Sequence, residues 1–466
     1  MITFSELSGL LVAVAVIATV FKLRAPGMTL GELPLFVWAM LVTSFMILFA
    51  MPAVMLASTA LILDRLVNTH FYDPAAGGDA LLWQHLFWFF AHPEVYFIFI
   101  PGLGFLSAII PTFARRPIYG YPAMVLSLIT VGFLSFGLWV HHMFATHIPD
   151  LGKSFFTSAS MMIAIPSAIQ IYCWIVTLWR GRLSFHTPLV FSLAFFILLV
   201  IGGLTGIMVA SVPLDLQLHD TYFVVAHLHF VLIGGAVFPL FAAWYYWFPK
   251  ATGRLLSERL GQWQFALFFI GFMLAFYPMH HLGLQGMPRR VYTYPEQLGW
   301  GPLNLLASAG AAVIAISVLL FIYNTVRSYR RGAPAGNNPW GAATLEWATT
   351  SPPPPYNYEQ LPLVRGRDPL WQPGAVQDGV HGLAAQTREV LVTTVLDAKP
   401  SHRLVFPDAS LWPFVSAIAV TVFFIGSIFT PWAVVWGGIP VAITVTLWFW
   451  PRRAETEAQL AVEKRP

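Results

Sequence analysis

Long apolar runs separated by short polar joints dominate the chain. The runs cover residues 7–21, 35–63, 81–110, 123–140, 155–178, 190–209, 222–248, 265–282, 305–323, 411–429 and 433–450. They are apolar on all sides rather than alternating, which predicts helices and not the strands of a barrel. A helix needs about 20 residues to cross a bilayer, so the first and last runs are marginal. The expected fold class is all-α: a polytopic membrane helical bundle with about eleven transmembrane helices.

Composition agrees. The chain is 57% hydrophobic and only 10% charged, which excludes a soluble multidomain protein. Its formal net charge of +4 reflects loop bias, and no aromatic–basic motif for nucleic acid accompanies it, so no nucleic-acid partner is expected. One cysteine, Cys173, lies inside an apolar run; it excludes an intrachain disulfide and a thiolate metal cage. Alternate loops carry Lys22, Arg24, Arg115, Arg116, Arg180, Arg182, Lys250, Arg254, Arg259, Arg327, Arg330 and Arg331, against only Arg65, Lys153, Arg289 and Arg290 in the opposite set. The positive-inside rule puts the first set in the cytoplasm or matrix. Met1 then falls outside without an export signal, which predicts an odd number of helices upstream, missing or supplied by a separate polypeptide. Residues 328–410 are broken by Pro and Gly and read as an irregular inside-facing linker with a short strand near 390–396. The domain reading is a core over 1–335, this linker over 336–410, a terminal hairpin over 411–451 and a solvated charged tail over 452–466.

Polar residues inside the runs carry the chemistry, because an ionisable group at bilayer depth costs about 2.5–3.5 kcal/mol on insertion scales. His92-Pro93-Glu94-Val95-Tyr96 lies in the third run. His92 and Tyr96 are four apart and share a helical face, whereas Glu94 points elsewhere. Pro93 is expected to loosen that turn. His141 and His142 close the fourth run, where a helix end lets adjacent residues face one ion. With His92 they give three imidazoles at matched depth, a donor set suited to copper, iron or zinc. His227 and His229 are two apart and point to opposite sides of one helix; two haems flanking it would each take one axial imidazole. Arg289 and Arg290 need anions, and haem propionates are suitable partners. His219 and Asp220, near Asp215, with water are candidates for Mg²⁺. The competing reading for each is a polar seam between helices or a solvated ion network.

Gln84 through Tyr96, Val140-His141-His142-Met143-Phe144, Leu218-His219-Asp220-Thr221 and Gly286-Met287-Pro288-Arg289-Arg290 resemble subunit I of the haem–copper oxygen reductases, and most closely the cytochrome c oxidases. The resemblance runs in order from about Leu7 to Leu363. It implies copper on His92, His141 and His142, a high-spin haem on His227, and a low-spin haem on His229. It implies a Tyr96 cross-linked to His92, proton relay by Glu94, propionates on Arg289 and Arg290, and Mg²⁺ at His219 and Asp220. The implied activity is reduction of O₂ to water with proton translocation in a bacterial inner membrane. The implied partners are subunits II and III, cytochrome c and membrane lipid. The family's first three helices have no counterpart here, so the second axial ligand of the low-spin haem is not in this chain. Gln170 stands where the family usually has lysine, with Ser107 and Ser167 as remaining hydroxyls, and Leu228 stands where an aromatic residue is common. The alternatives are a truncated fragment or half of a split subunit without activity, a histidine-lined transporter, and a nitric oxide reductase-like relative, which the phenol of Tyr96 disfavours.

Overall fold

Inside hydrocarbon a backbone must satisfy its own hydrogen bonds, and the apolar runs do so as helices. The computed structural model describes residues 2–353, 362–372, 376–377, 389–394 and 399–463. Its helices are α1 (Ile2–Lys22), α2 (Leu35–Leu66), α3 (Ala80–Ala114), α4 (Tyr121–Ser135), α5 (Asp150–Met162), α6 (Ala164–Trp179), α7 (Thr187–Ala210) and α8 (Val212–Leu218). They continue with α9 (Tyr222–Leu232), α10 (Phe238–Thr252), α11 (Glu258–Leu284), α12 (Gly301–Arg331), α13 (Trp412–Phe429), α14 (Ala433–Phe449) and α15 (Arg453–Glu463). Ten helical stretches among the described residues are long and apolar enough to span a membrane, several made of two segments such as α5 with α6. The last expected span, α14, is 17 residues long. The chain is therefore an all-α multi-pass membrane protein.

Helix α3 organises the packing. Its Ile100, Leu103 and Leu106 join a core with α2, α4, α6 and α7. Its Ile109 and Phe113 join a second core with α7, α9, α10 and α11. Pro93, Pro101 and Pro111 all lie within α3, and the helix runs on through them. The looser turn expected at Pro93 does not end the helix. Gly102 lets α3 approach the π-helical turn Ile233–Val237: a Cβ there would lie 2.6 Å from the Gly235 carbonyl.

The region beyond α12 is irregular in backbone but held to the inner ends of the helices. Trp347 is buried beside Tyr246, and Lys250 Nζ donates to the Thr349 carbonyl at 2.7 Å. Two antiparallel hairpins follow, β1 (Leu363–Val364) with β2 (Val376–Gln377) and β3 (Glu389–Thr393) with β4 (Pro400–Val405). The strand expected over 390–396 is thus β3, shifted toward its start; residues 395 and 396 lie outside the described residues. The charged tail forms α15, which packs on β4, Gln459 Oε1 accepting from the Val405 amide at 2.9 Å.

Candidate metal centre and its surroundings

His92 sits in mid-helix on α3, buried at 4% exposure. Helix α4 ends at Ser135, and a 3₁₀ turn over Trp139–Met143 presents His141 and His142 to α3. The helix end expected there is what lets adjacent imidazoles converge. Ligand atoms of the three histidines all lie within 4.8 Å of one another. His92 Nδ1 is 3.1 Å from His142 Nε2, and His141 Nε2 is 3.2 Å from the same atom. Three nitrogens about 2.0 Å from one ion in tetrahedral directions would be about 3.3 Å apart, so the spacing fits a shared metal.

Tautomers follow from the partners. Ser160 Oγ donates to the Phe156 carbonyl at 2.6 Å, so it accepts from His141 Nδ1 at 2.9 Å. That leaves the His141 Nε2 lone pair aimed at the cluster. The ring of His142 stacks on Trp88 at 3.9 Å and 7°. Lone pairs crowded together inside the bundle are relieved by a proton or by a cation, and neutral imidazoles suit copper, iron or zinc. The other ring nitrogen of His92, Nε2, is buried without a hydrogen-bond partner. The Tyr96 ring packs edge-on to His92 with centroids 4.8 Å apart, as their shared face requires. Glu94 is half-buried on a different face of α3, and no hydrogen bond reaches its carboxylate among the described residues.

His227 and His229 diverge. His227 Nδ1 donates to the Gly202 carbonyl on α7 at 3.0 Å, with Thr205 Oγ1 at 3.2 Å. His229 Nδ1 donates to the Val225 carbonyl at 2.7 Å, and its ring stacks on Phe276 of α11 at 4.1 Å. Each carbonyl can only accept, so both histidines keep the proton on Nδ1 and offer Nε2 as a ligand atom. Two separate haems, one on each side of α9, fit this donor set.

On the opposite side from the basic loops, His219 Nδ1 lies 3.0 Å from Asp215 Oδ2. This hydrogen bond raises the His219 pKa above its usual 6.5, although burial opposes it. Asp220 turns instead toward Arg289, whose Nε is 3.7 Å from its carboxylate. Among the described residues His219 and Asp220 gain no third ligand, and the three-histidine cluster is the one group that could hold a metal by itself. Arg290 is exposed, in a left-handed conformation with φ +68°. Sequence reasoning gave no role to Ser160, Trp88, Gly202 or Phe276. Trp88 had a signal, four residues before His92 on the same face. Ser160, 19 residues from His141, had none.

A polytopic helical membrane protein with a three-histidine cluster inside the bundle and two diverging histidines on one neighbouring helix is the class defined so far. The sequence model described as cytochrome c and quinol oxidase polypeptide I matches residues 1–313. Cytochrome c oxidase subunit 1 of Bacillus subtilis (strain 168) is 46% identical over 368 residues, 79% of this chain and 59% of that protein. The Bacillus sp. (strain PS3) subunit 1 is 42% identical over 432 residues, 92% of this chain and 68% of the relative. The Synechocystis sp. subunit 1 is 43% identical over 394 residues, 84% of this chain and 70% of the relative. The chain belongs to the haem–copper oxidase subunit I family. It spans about three fifths of the length of the B. subtilis relative (59%).

Proposed function

We propose that this chain forms part of the catalytic subunit of a bacterial inner-membrane terminal oxidase that reduces O₂ to water, takes electrons from cytochrome c and translocates protons. The observation that carries the reading is the convergence of His92, His141 and His142 within hydrogen-bond distance, with Tyr96 against His92. In this reading the three histidines hold copper, His227 a high-spin haem and His229 a low-spin haem. When bound, these groups supply the electron transfer and oxygen chemistry that side chains lack.

The chain's own residues then have defined tasks. The Gly202 and Val225 carbonyls hold His227 and His229 in the tautomer that ligates through Nε2. Ser160 does the same for His141, and Trp88 sets the plane of His142. Tyr96 lies next to the cluster and supplies a proton from its phenol. The unpartnered His92 Nε2 is buried and suits a covalent link to Tyr96, a two-electron oxidation in which an N–H and a ring C–H would be lost and O₂ would take up the two hydrogens. Glu94 relays protons, since a half-buried carboxyl without a fixed partner is free to change one. Arg289 and Arg290 hold propionates, and His219 and Asp220, with water, would hold Mg²⁺. Subunits II and III are further partners.

Metal and haem analysis of the assembled complex tests this. Two haems and one copper per complex are expected, with O₂ consumption driven by reduced cytochrome c. The His141→Ala variant should lose copper and turnover but keep the low-spin haem band. Assembled complex that binds haem but never copper would refute the reading.

A further inference from the structure

We propose that the groove between the inner ends of α10 and α12 binds one anionic glycerophospholipid of the inner leaflet. The groove encloses about 710 Å³. Leu240, Ala243, Trp244 and Val326 make its walls apolar, and Arg330 stands at its end. Leu240 to Thr252 spans about 18 Å along α10 at 1.5 Å per residue. That is close to the depth of one leaflet, half of the about 30 Å hydrocarbon core. Both helices end in the basic loops assigned to the inside, so the open end meets the inner headgroups.

One polar feature selects the ligand. Arg330 lies at the inner end of the groove, where a guanidinium meets a lipid phosphate. Charge favours an anionic headgroup. Among the described residues no carboxylate pairs with Arg330. The acid near the groove, Glu346, is occupied: it accepts from Trp247 Nε1 at 3.3 Å and Thr344 Oγ1 at 2.7 Å. The other nearby cation, Lys250, is tied to the Thr349 carbonyl. Tyr329, one residue before Arg330, suits the headgroup boundary. A helix from another subunit could fill an apolar groove, but it would have no use for an unpaired guanidinium at its mouth.

The test uses the assembled complex, stripped of lipid and reconstituted with phosphatidylglycerol or phosphatidylcholine carrying a photoreactive group in the acyl chain. Peptides spanning 240–252 and 325–330 should be labelled about fivefold more by phosphatidylglycerol, the worth of one arginine near an anionic surface. Arg330→Gln should abolish the preference and Arg330→Lys should retain it. Ala251→Phe, at an exposed position that lines the groove, should block labelling by both lipids. Equal labelling by the two lipids, or a preference that survives Arg330→Gln, would overturn the proposal. So would an unlabelled groove whose peptides cross-link to another subunit.

Discussion

Ser160 shows how a single hydroxyl governs the cluster. It spends its proton on the Phe156 carbonyl and so can only accept from His141. Partners of this kind change metal affinity by about 10–100-fold when removed. Ser160→Ala should therefore weaken copper retention by about that factor in competition with a chelator, with the haem bands unchanged. Glu94 acts differently, since it touches neither the cluster nor a fixed partner. Glu94→Gln keeps size and loses the proton. We expect slower O₂ consumption and slower proton release with unaltered haem spectra; an undiminished rate would remove Glu94 from the proton route. If Tyr96 is joined to His92, the peptide carrying both should be lighter by two hydrogens than its unlinked mass, and Tyr96→Phe should abolish the difference.

At the scale of elements, the crossing of α7 and α9 places His227. A Cβ on Gly206 would lie 2.9 Å from His227 Cε1, and one on Gly202 would lie 2.8 Å from Val231. Gly206→Val should push the His227 ring aside and shift or erase the high-spin haem band, while helix content by circular dichroism stays constant. The strap beginning at β1 is a second joint. Glu32 accepts from the Thr29 amide at 2.7 Å and, with its other oxygen, from the Gly366 amide at 2.9 Å. These backbone donors hold its pKa below the usual 4.5. A depressed folded-state pKa means that the stabilisation is present above the unfolded value and disappears as pH falls through the folded one. The protection factor of the Gly366 amide, its exchange relative to the unfolded rate at the same pH, should therefore fall as pH drops below about 4.5, and Glu32→Gln should remove this pH dependence.

Across the whole molecule, the α13–α14 hairpin packs chiefly on itself, Gly437 lying against Phe423. It contributes none of the residues of the three-histidine cluster. Truncation after residue 410 should leave copper and haem content unchanged in assembled complex, and loss of either would give the hairpin a structural part in the core. The helices were legible from residue order alone because burying a backbone in lipid leaves few solutions, and long apolar runs announce themselves. His92, His141, His142, His227 and His229 were legible for the converse reason, since polar groups in such runs are costly enough to demand a use. Local geometry added that His92 shares a face with Tyr96 and that His227 and His229 diverge. What only the tertiary structure decided depends on residues distant in sequence. Ser160 reaches His141 because α5 packs beside the 3₁₀ turn, and Asp215 rather than Asp220 takes His219. Residues 340–353 and 362–372 read as linker, yet they pack against the helices, because Trp347 and Val364 are buried in a way that no local periodicity reveals. The groove ending at Arg330 exists only because folding brings residues of α10 and α12 to line one cavity. Sequence determines which groups must leave water; the packing of whole helices determines which of them meet.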